Sequence, residues 1–473
     1  MTSVQNIAEN FRCLDRIVPS QSQLNWAMQG TNSTELVSGV RQLPLEVAQL
    51  LLASTPDVQS LRSLAVSSPT FYKAFVGAQD LIIKAVLHNE FGPDVLPHAQ
   101  AAQRSVDLGL FENRFEEEKV TFWSLLDNKA MSRVYPWQFQ DSLHLSEIRS
   151  PVEYFVQQYS VNICKSLDFK IKSLRRKELD RIRRTLYRIE TYCNLYGGHR
   201  RLRPSLEELQ ALSINQLAPW EVEQMVSVQD FLFSRLAEAF TDLARHDIEL
   251  AYRMLDLDWL VDSWLSLIYK DHQLSRGLSF LQQLDQTTSF EGRVNLLSPV
   301  RRHDASFLCP VFALGRWIEY IKQPLREYSD DDLLSNLSTR YTAWDDTAPF
   351  VAWKWAHADA PVYPGSAAAT PHLYGSPTPH LYGTPNSQKL REKGYVFLDL
   401  DRVHSLFTDS NPCPWYAVEA YGDVDVGKWR KEMRSKKRRQ ELFGKGWRGY
   451  WSEEDQSRIV WHTEYKTKEY VSE

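Results

Sequence analysis

In the stretch YVFLDLDRV an apolar run delivers two carboxylates, Asp399 and Asp401, two positions apart. Carboxylates paired behind a buried strand are chemically competent as nucleophiles or proton carriers. His372 and His380 occupy the same place in a duplicated hexamer, TPHLYG, at 370–375 and 378–383. Two histidines can share a metal, but no carboxylate or thiol stands close by to complete a ligand set. The run KWRKEMRSKKRRQ, residues 428–440, holds Lys or Arg at eight of thirteen positions. Such density suits a nuclear-import signal, centred on Lys436, Lys437, Arg438 and Arg439, or a phosphate-binding patch, or simply a solvated face. A second basic run, RRKELDRIRR at 175–184, alternates cations with acids and apolar residues, and is expected to be the wet face of an amphipathic helix.

Elements able to position these groups for catalysis are missing from the pattern. YVFLDLDRV resembles the haloacid-dehalogenase-like phosphatases, in which the resemblance would make Asp399 the nucleophile and Asp401 the acid/base. That fold needs a parallel sheet around the motif with later Lys and acidic elements, yet 72 residues follow Asp401 (473 − 401) and show no βαβ alternation. No GxxxxGK[ST] loop, GxGxxG after a strand, HExxH or GxSxG occurs, and YGGHRRLRP reads as a loop with Gly197 capping the preceding helix. Cys13, Cys164, Cys193, Cys309 and Cys413 are scattered, odd in number and free of any CxxC pair, which points to reduced thiols. We expect no catalytic residue, no cofactor and no metal.

At 473 residues, 43% hydrophobic and 24% charged, the chain has the composition of a globular protein. A net charge of −5 gives no whole-protein case for nucleic acid or an anionic membrane, so nucleic acid is not an expected partner. No basic start leads into an apolar run of signal-peptide length, and about 18 consecutive apolar residues occur nowhere. The expectation is an intracellular protein, cytoplasmic or nuclear, neither secreted nor transmembrane.

Helical periodicity dominates. Ile182, Leu186, Ile189, Cys193 and Tyr196 recur at spacings of four and three, and Met225, Val228, Leu232, Leu236, Phe240 and Leu243 form another stripe behind a Pro219 start. Further helices are legible in ELAYRMLDLDWLVDSWLSLIYKD and CPVFALGRWIEYIKQPLREY, whereas strand alternation is scarce. The fold class is therefore mainly α. Residues 1–40 read as a loosely ordered lead-in, 41–76 as a small bundle and 77–357 as a larger, irregular helical domain. Residues 358–390 read as a Pro/Gly/Ser/Thr-rich loop or linker, and 391–473 as a C-terminal part packed on the helical domain.

The small bundle carries the clearest punctuation. In QLPLEVAQLLLASTPDVQSLRSLAVSSPTFYKAF, residues 42–75, Pro44 starts a helix with an apolar stripe of Val47, Leu50 and Leu51. Pro56 ends it and Asp57 caps a second helix, whose apolar face is Val58, Leu61, Leu64 and Ala65; Ser68 and Pro69 start a third, with Phe71 and Phe75. Three short helices in about 33 residues have little core of their own and lean on the rest of the chain or a partner.

These residues resemble an F-box, whose pattern is Leu-Pro, a Glu with aliphatics, and then two further helices carrying Leu and bulky aromatics. RRTLYRIETYCNLYG, APWEVEQMVSVQDFL, REKGYVFLD and RGYWSEED are similar to blocks in F-box-like proteins of filamentous fungi, a group of unknown role. The resemblance implies a three-helix module that binds the Skp-type adaptor of a cullin ubiquitin ligase, with contacts on Leu43, Pro44, Val47, Leu50, Leu61 and Leu64. The remaining chain would then hold an unknown protein client. The expected function is a non-catalytic adaptor; the alternative is a structural or nuclear interaction protein in which the bundle is only part of the core.

Overall fold

A computed structural model of the chain describes residues 43–110, 139–196, 217–253, 273–297, 347–357, 390–407 and 426–461. The lead-in, the TPHLYG pair with His372 and His380, Gly197, Cys13, Cys309, Cys413, the run at 309–328 and most of that at 249–271 lie outside the described residues. The fold is mainly α: fourteen α-helices and two three-residue strands among the described residues. None of the described helices is long and apolar enough to cross a membrane. Of the described residues, 43–96 and 139–147 belong to one compact unit and the others to a second.

The first unit is built on α1 (Leu45–Ala53), α2 (Val58–Ala65), α3 (Pro69–Gly77) and α4 (Gln79–Phe91). Local chemistry sets each start. Pro44 precedes α1; the Asp57 carboxylate accepts from the Ser60 N–H at 2.7 Å to cap α2; and the Ser68 hydroxyl accepts from the Phe71 N–H at 3.2 Å to cap α3, with Pro69 in its first turn. The bundle does not stop at residue 76, because α4 packs against α1 and α2. Asn89 on α4 donates to the carbonyls of Ala53 and Thr55 at 2.9 and 3.0 Å, and Glu90 accepts from the Val58 N–H at 3.0 Å. The extra helix supplies Ile82, Ile83, Val86 and Leu87 to the buried set, the apolar surface that three short helices lack.

The second unit is organised around α7 (Arg176–Tyr196) and α8 (Pro219–His246), which pack against each other. Ile182, Leu186, Ile189 and Cys193 of α7 are buried, as are all six residues of the α8 stripe, so both apolar faces stand where periodicity places them. Pro219 occupies the first turn of α8, and the Glu221 carboxylate accepts from the Ala218 N–H at 2.9 Å, satisfying a donor that the helix cannot. Around this pair lie the later part of α6 (Phe139–Ser166), α10 (Leu278–Gln286), α11 (Phe290–Leu296) and α12 (Ala348–His357). Tyr154 of α6 and Arg235 of α8 converge on Asp285 of α10 at 2.6 and 2.8 Å. The unit also holds residues of α5 (Leu96–Leu110), whose Ala102 carbonyl accepts from Asn194 at 3.0 Å.

At the C-terminal end, α9 (Ile248–Arg253) packs on α14 (Val426–Gly444), and β1 (Trp447–Gly449) pairs antiparallel with β2 (Ile459–Trp461). Ile248, Leu442 and Trp451 form the buried centre of this corner, with Phe443, Trp447 and Ile459 packed around it.

Candidate docking face

Within α1 the apolar residues divide between two sides. Ala48 and Leu52 are completely buried, whereas Val47 (39%), Leu50 (69%) and Leu51 (43%) are exposed. At 100° per residue these three fall within a sector of about 100°, so they form one outward stripe; Leu45, exposed in the first turn, lies on the side of Ala48 and Leu52. Pro44 is exposed and Leu43 half-buried just ahead of the helix, and Leu64 of α2 is half-buried. Leu61 corrects the expectation: it is 0% exposed and belongs to the bundle's interior, so it is in no position to meet a partner. Leu51 belongs to the exposed stripe but was not among the expected contacts. The run QLLLA offered Leu51 as a signal, although three adjacent leucines do not say which one turns inward. Gln49 helps hold the helix in this rotation by donating to the Ala74 carbonyl of α3 at 3.4 Å.

Asp399 and Asp401 are not the end of a strand. Gly394, at φ +62°, opens a 3₁₀ turn at Tyr395–Phe397, and α13 (Leu400–Phe407) follows. Tyr395, Val396 and Phe397 are all buried, held by Gln224 donating to the Val396 carbonyl at 3.2 Å and Arg181 donating to the Phe397 carbonyl at 2.7 Å. The two carboxylates are bound to cations: Arg175 meets Asp399 at 3.1 Å and Asp401 at 2.7 Å, and Arg181 meets Asp399 at 3.0 Å. Arg175 draws the Asp401 carboxyl below its ordinary value. Paired in this way, the two carboxylates clamp residues 390–407 to Arg175 and α7.

The wet face expected of 175–184 holds for Arg175, Arg176 and Lys177, which are exposed, but not for Glu178, Arg181 and Arg184. Arg181 is 1% exposed, Arg184 is buried, and Glu178 is fully buried, accepting from Arg402 at 2.9 Å and from the Asp399 N–H at 2.9 Å. Arg391 is buried too, 2.7 Å from Asp230, with Glu223 at 3.9 Å. Burial works against its charge, but the two carboxylates outweigh that and hold the guanidinium protonated. Arg188 pairs with Glu221 nearby. Cys193 is buried, and its thiol is pushed well above the ordinary range by desolvation and then by Glu190. These groups are structural: charges removed from water are satisfied by one another.

The basic run 428–440 lies on α14, and its four central residues part company. Lys437 and Arg438 are exposed, whereas Lys436 and Arg439 are buried. Arg439 donates to the Asp247 carbonyl at 2.9 Å, and burial lowers its pKa to about 10. In the folded protein these four are therefore not a continuous accessible signal, because Lys436 and Arg439 are buried. Among the described residues, no group of three or more His, Cys, Asp or Glu is arranged to hold a metal. Comparison with family models, curated proteins and solved structures returns no match.

Proposed function

We propose that the chain is a non-catalytic adaptor whose α1–α4 bundle docks on the Skp-type subunit of a cullin ubiquitin ligase, while its second unit holds a protein client. The supporting observation is the outward stripe of Val47, Leu50 and Leu51 behind exposed Pro44, on a helix whose other side is fixed in the core by Ala48 and Leu52. An apolar stripe left in water on a rigid helix is costly by itself and gains on being covered, at about 25 cal/mol per Å² of apolar area removed from water. Leu43, Pro44, Val47 and Leu50, with Leu64 at the margin, are the contacts; Leu61 supports them from below. The second unit contributes a rigid body, because residues 390–407 are locked to α7 and α8 by ion pairs and to α6 by hydrogen bonds from Tyr159 and Ser166.

The test is co-purification of the full chain with a Skp-type adaptor, comparing wild type with a Leu43→Ala, Pro44→Ala double variant and checking both for native circular dichroism. Capture of wild type alone supports the reading. No capture of the folded wild type rejects it.

A further inference from the structure

The exposed side of α14 carries cations that the adaptor reading does not use. Lys431, Arg434, Lys437 and Arg438 are exposed and, at 3.6 residues per turn, fall within a sector of about 120° over about 10 Å of axis. Arg438 is matched by Glu441 at 3.1 Å, but Lys431, Arg434 and Lys437 have no ion-pair partner among the described residues. Their orientation is fixed from the other side of the helix, where Arg439 donates to the Asp247 carbonyl and Gln440 to the Ala251 carbonyl at 3.0 Å. Three unmatched cations held in one row on a chain of net charge −5 form a local feature that opposes the overall charge.

We propose that this stripe binds the phosphodiester backbone of a nucleic acid duplex without reading its sequence. Evenly spaced cations on a rigid helix suit the closely spaced charges of a duplex, and phosphate contacts position a protein without specifying bases. A single strand calls for aromatic side chains on which bases stack, and an anionic bilayer for apolar side chains that insert beside the cations. The described residues of this sector present neither; Met433 stands at its margin.

The experiment titrates the full-length chain into two labelled duplexes of about 24 base pairs and unrelated sequence, by fluorescence anisotropy between about 50 and 200 mM salt. Three phosphate contacts give a slope of log K against log salt of about −2.7, with both duplexes bound equally within about twofold. Each single Gln replacement of Lys431, Arg434 or Lys437 lowers the slope by about 1, and the triple variant, folded by circular dichroism, loses most of the binding. Four outcomes overturn the proposal: no duplex binding at 50 mM salt, a slope unchanged in the triple variant, a strong preference for one duplex, or binding to phosphatidylserine vesicles in place of duplex.

Discussion

Gly394 is the point at which the 3₁₀ turn enters the second unit, and Gly394→Ala tests how tightly that turn is seated. Two costs are separable. An added Cβ would stand 2.4 Å from Ile163 Cδ1 and 2.7 Å from its Cγ1, and Ile163 is completely buried on α6. The backbone at φ +62° adds about 1–2 kcal/mol for an L-residue, and overpacking a filled core adds about 1–3 kcal/mol. The expected destabilisation is therefore about 2–5 kcal/mol. Gly446→Ala is the control: its φ is +87°, but nothing lies within 4 Å of the new Cβ, so only the backbone cost of about 1–2 kcal/mol applies. Ile163→Ala alone costs about 2–5 kcal/mol through the cavity it leaves. In the Gly394→Ala, Ile163→Ala double variant each change relieves the other, so the loss falls short of the sum by about 1–3 kcal/mol. Urea unfolding followed by tryptophan fluorescence reads these differences, since Trp220 and Trp353 are buried in the same unit. Additivity within about 0.5 kcal/mol would refute the close approach of Gly394 to Ile163.

Three further outcomes are expected. Arg391→Ala leaves Glu223 and Asp230 without their buried cation and lowers stability by about 3–5 kcal/mol, whereas Arg391→Ala with Glu223→Gln recovers part of that loss; equal midpoints for the two in urea would contradict the pairing. Asp57→Ala and Ser68→Ala each remove a cap and cost about 1 kcal/mol in the first unit, measured by hydrogen exchange of α2 and α3; unchanged exchange would mean that the caps contribute nothing. Arg175→Gln reports on acid sensitivity. Because the folded pKa of Asp401 is depressed by Arg175, the stabilisation it brings is complete above about pH 4 and is lost as pH falls through the folded value. The wild-type and variant Tm curves should be apart at neutral pH and converge on acidification, and a constant gap down to pH 2 would contradict the assignment.

What the sequence revealed clearly was chemistry completed within a few residues. Asp57 with Ser60, Ser68 with Phe71 and Ala218 with Glu221 are contacts between near neighbours, and the helix starts they dictate are observed. The stripes of α7 and α8 were legible because 3.6-residue periodicity is itself a burial pattern. Distance in sequence hid the rest. Arg181 and Glu178 read as solvated because Phe397, Asp399 and Arg402, which satisfy them, stand more than 200 positions away. YVF read as a strand because three apolar residues precede the carboxylates; with all three buried around a turn opened by Gly394, no alternation existed to distinguish the two. On α1 the exposed stripe was legible as apolar, but its outward direction was not: Val47, Leu50 and Leu51 are as helical in spacing as Ala48 and Leu52. Leu61 was misplaced for the same reason, since a partner face and a core face share one periodicity. The split of Lys436 and Arg439 from Lys437 and Arg438 depends on distant residues such as Asp247, which the basic run does not encode.

The central claim is that the outward stripe of α1 is a protein-docking face, and its most direct measurement is calorimetric titration of a purified Skp-type adaptor into the full-length chain. The comparison is wild type against a Val47→Asp, Leu50→Asp variant, whose positions are exposed and should leave the fold intact. The account predicts saturable 1:1 binding of micromolar or tighter affinity, a negative heat-capacity change from apolar burial, and at least about a hundredfold loss in the variant, because an unpaired carboxylate would have to be desolvated. Absence of heat with the folded wild type, or equal affinity for both chains, would contradict it.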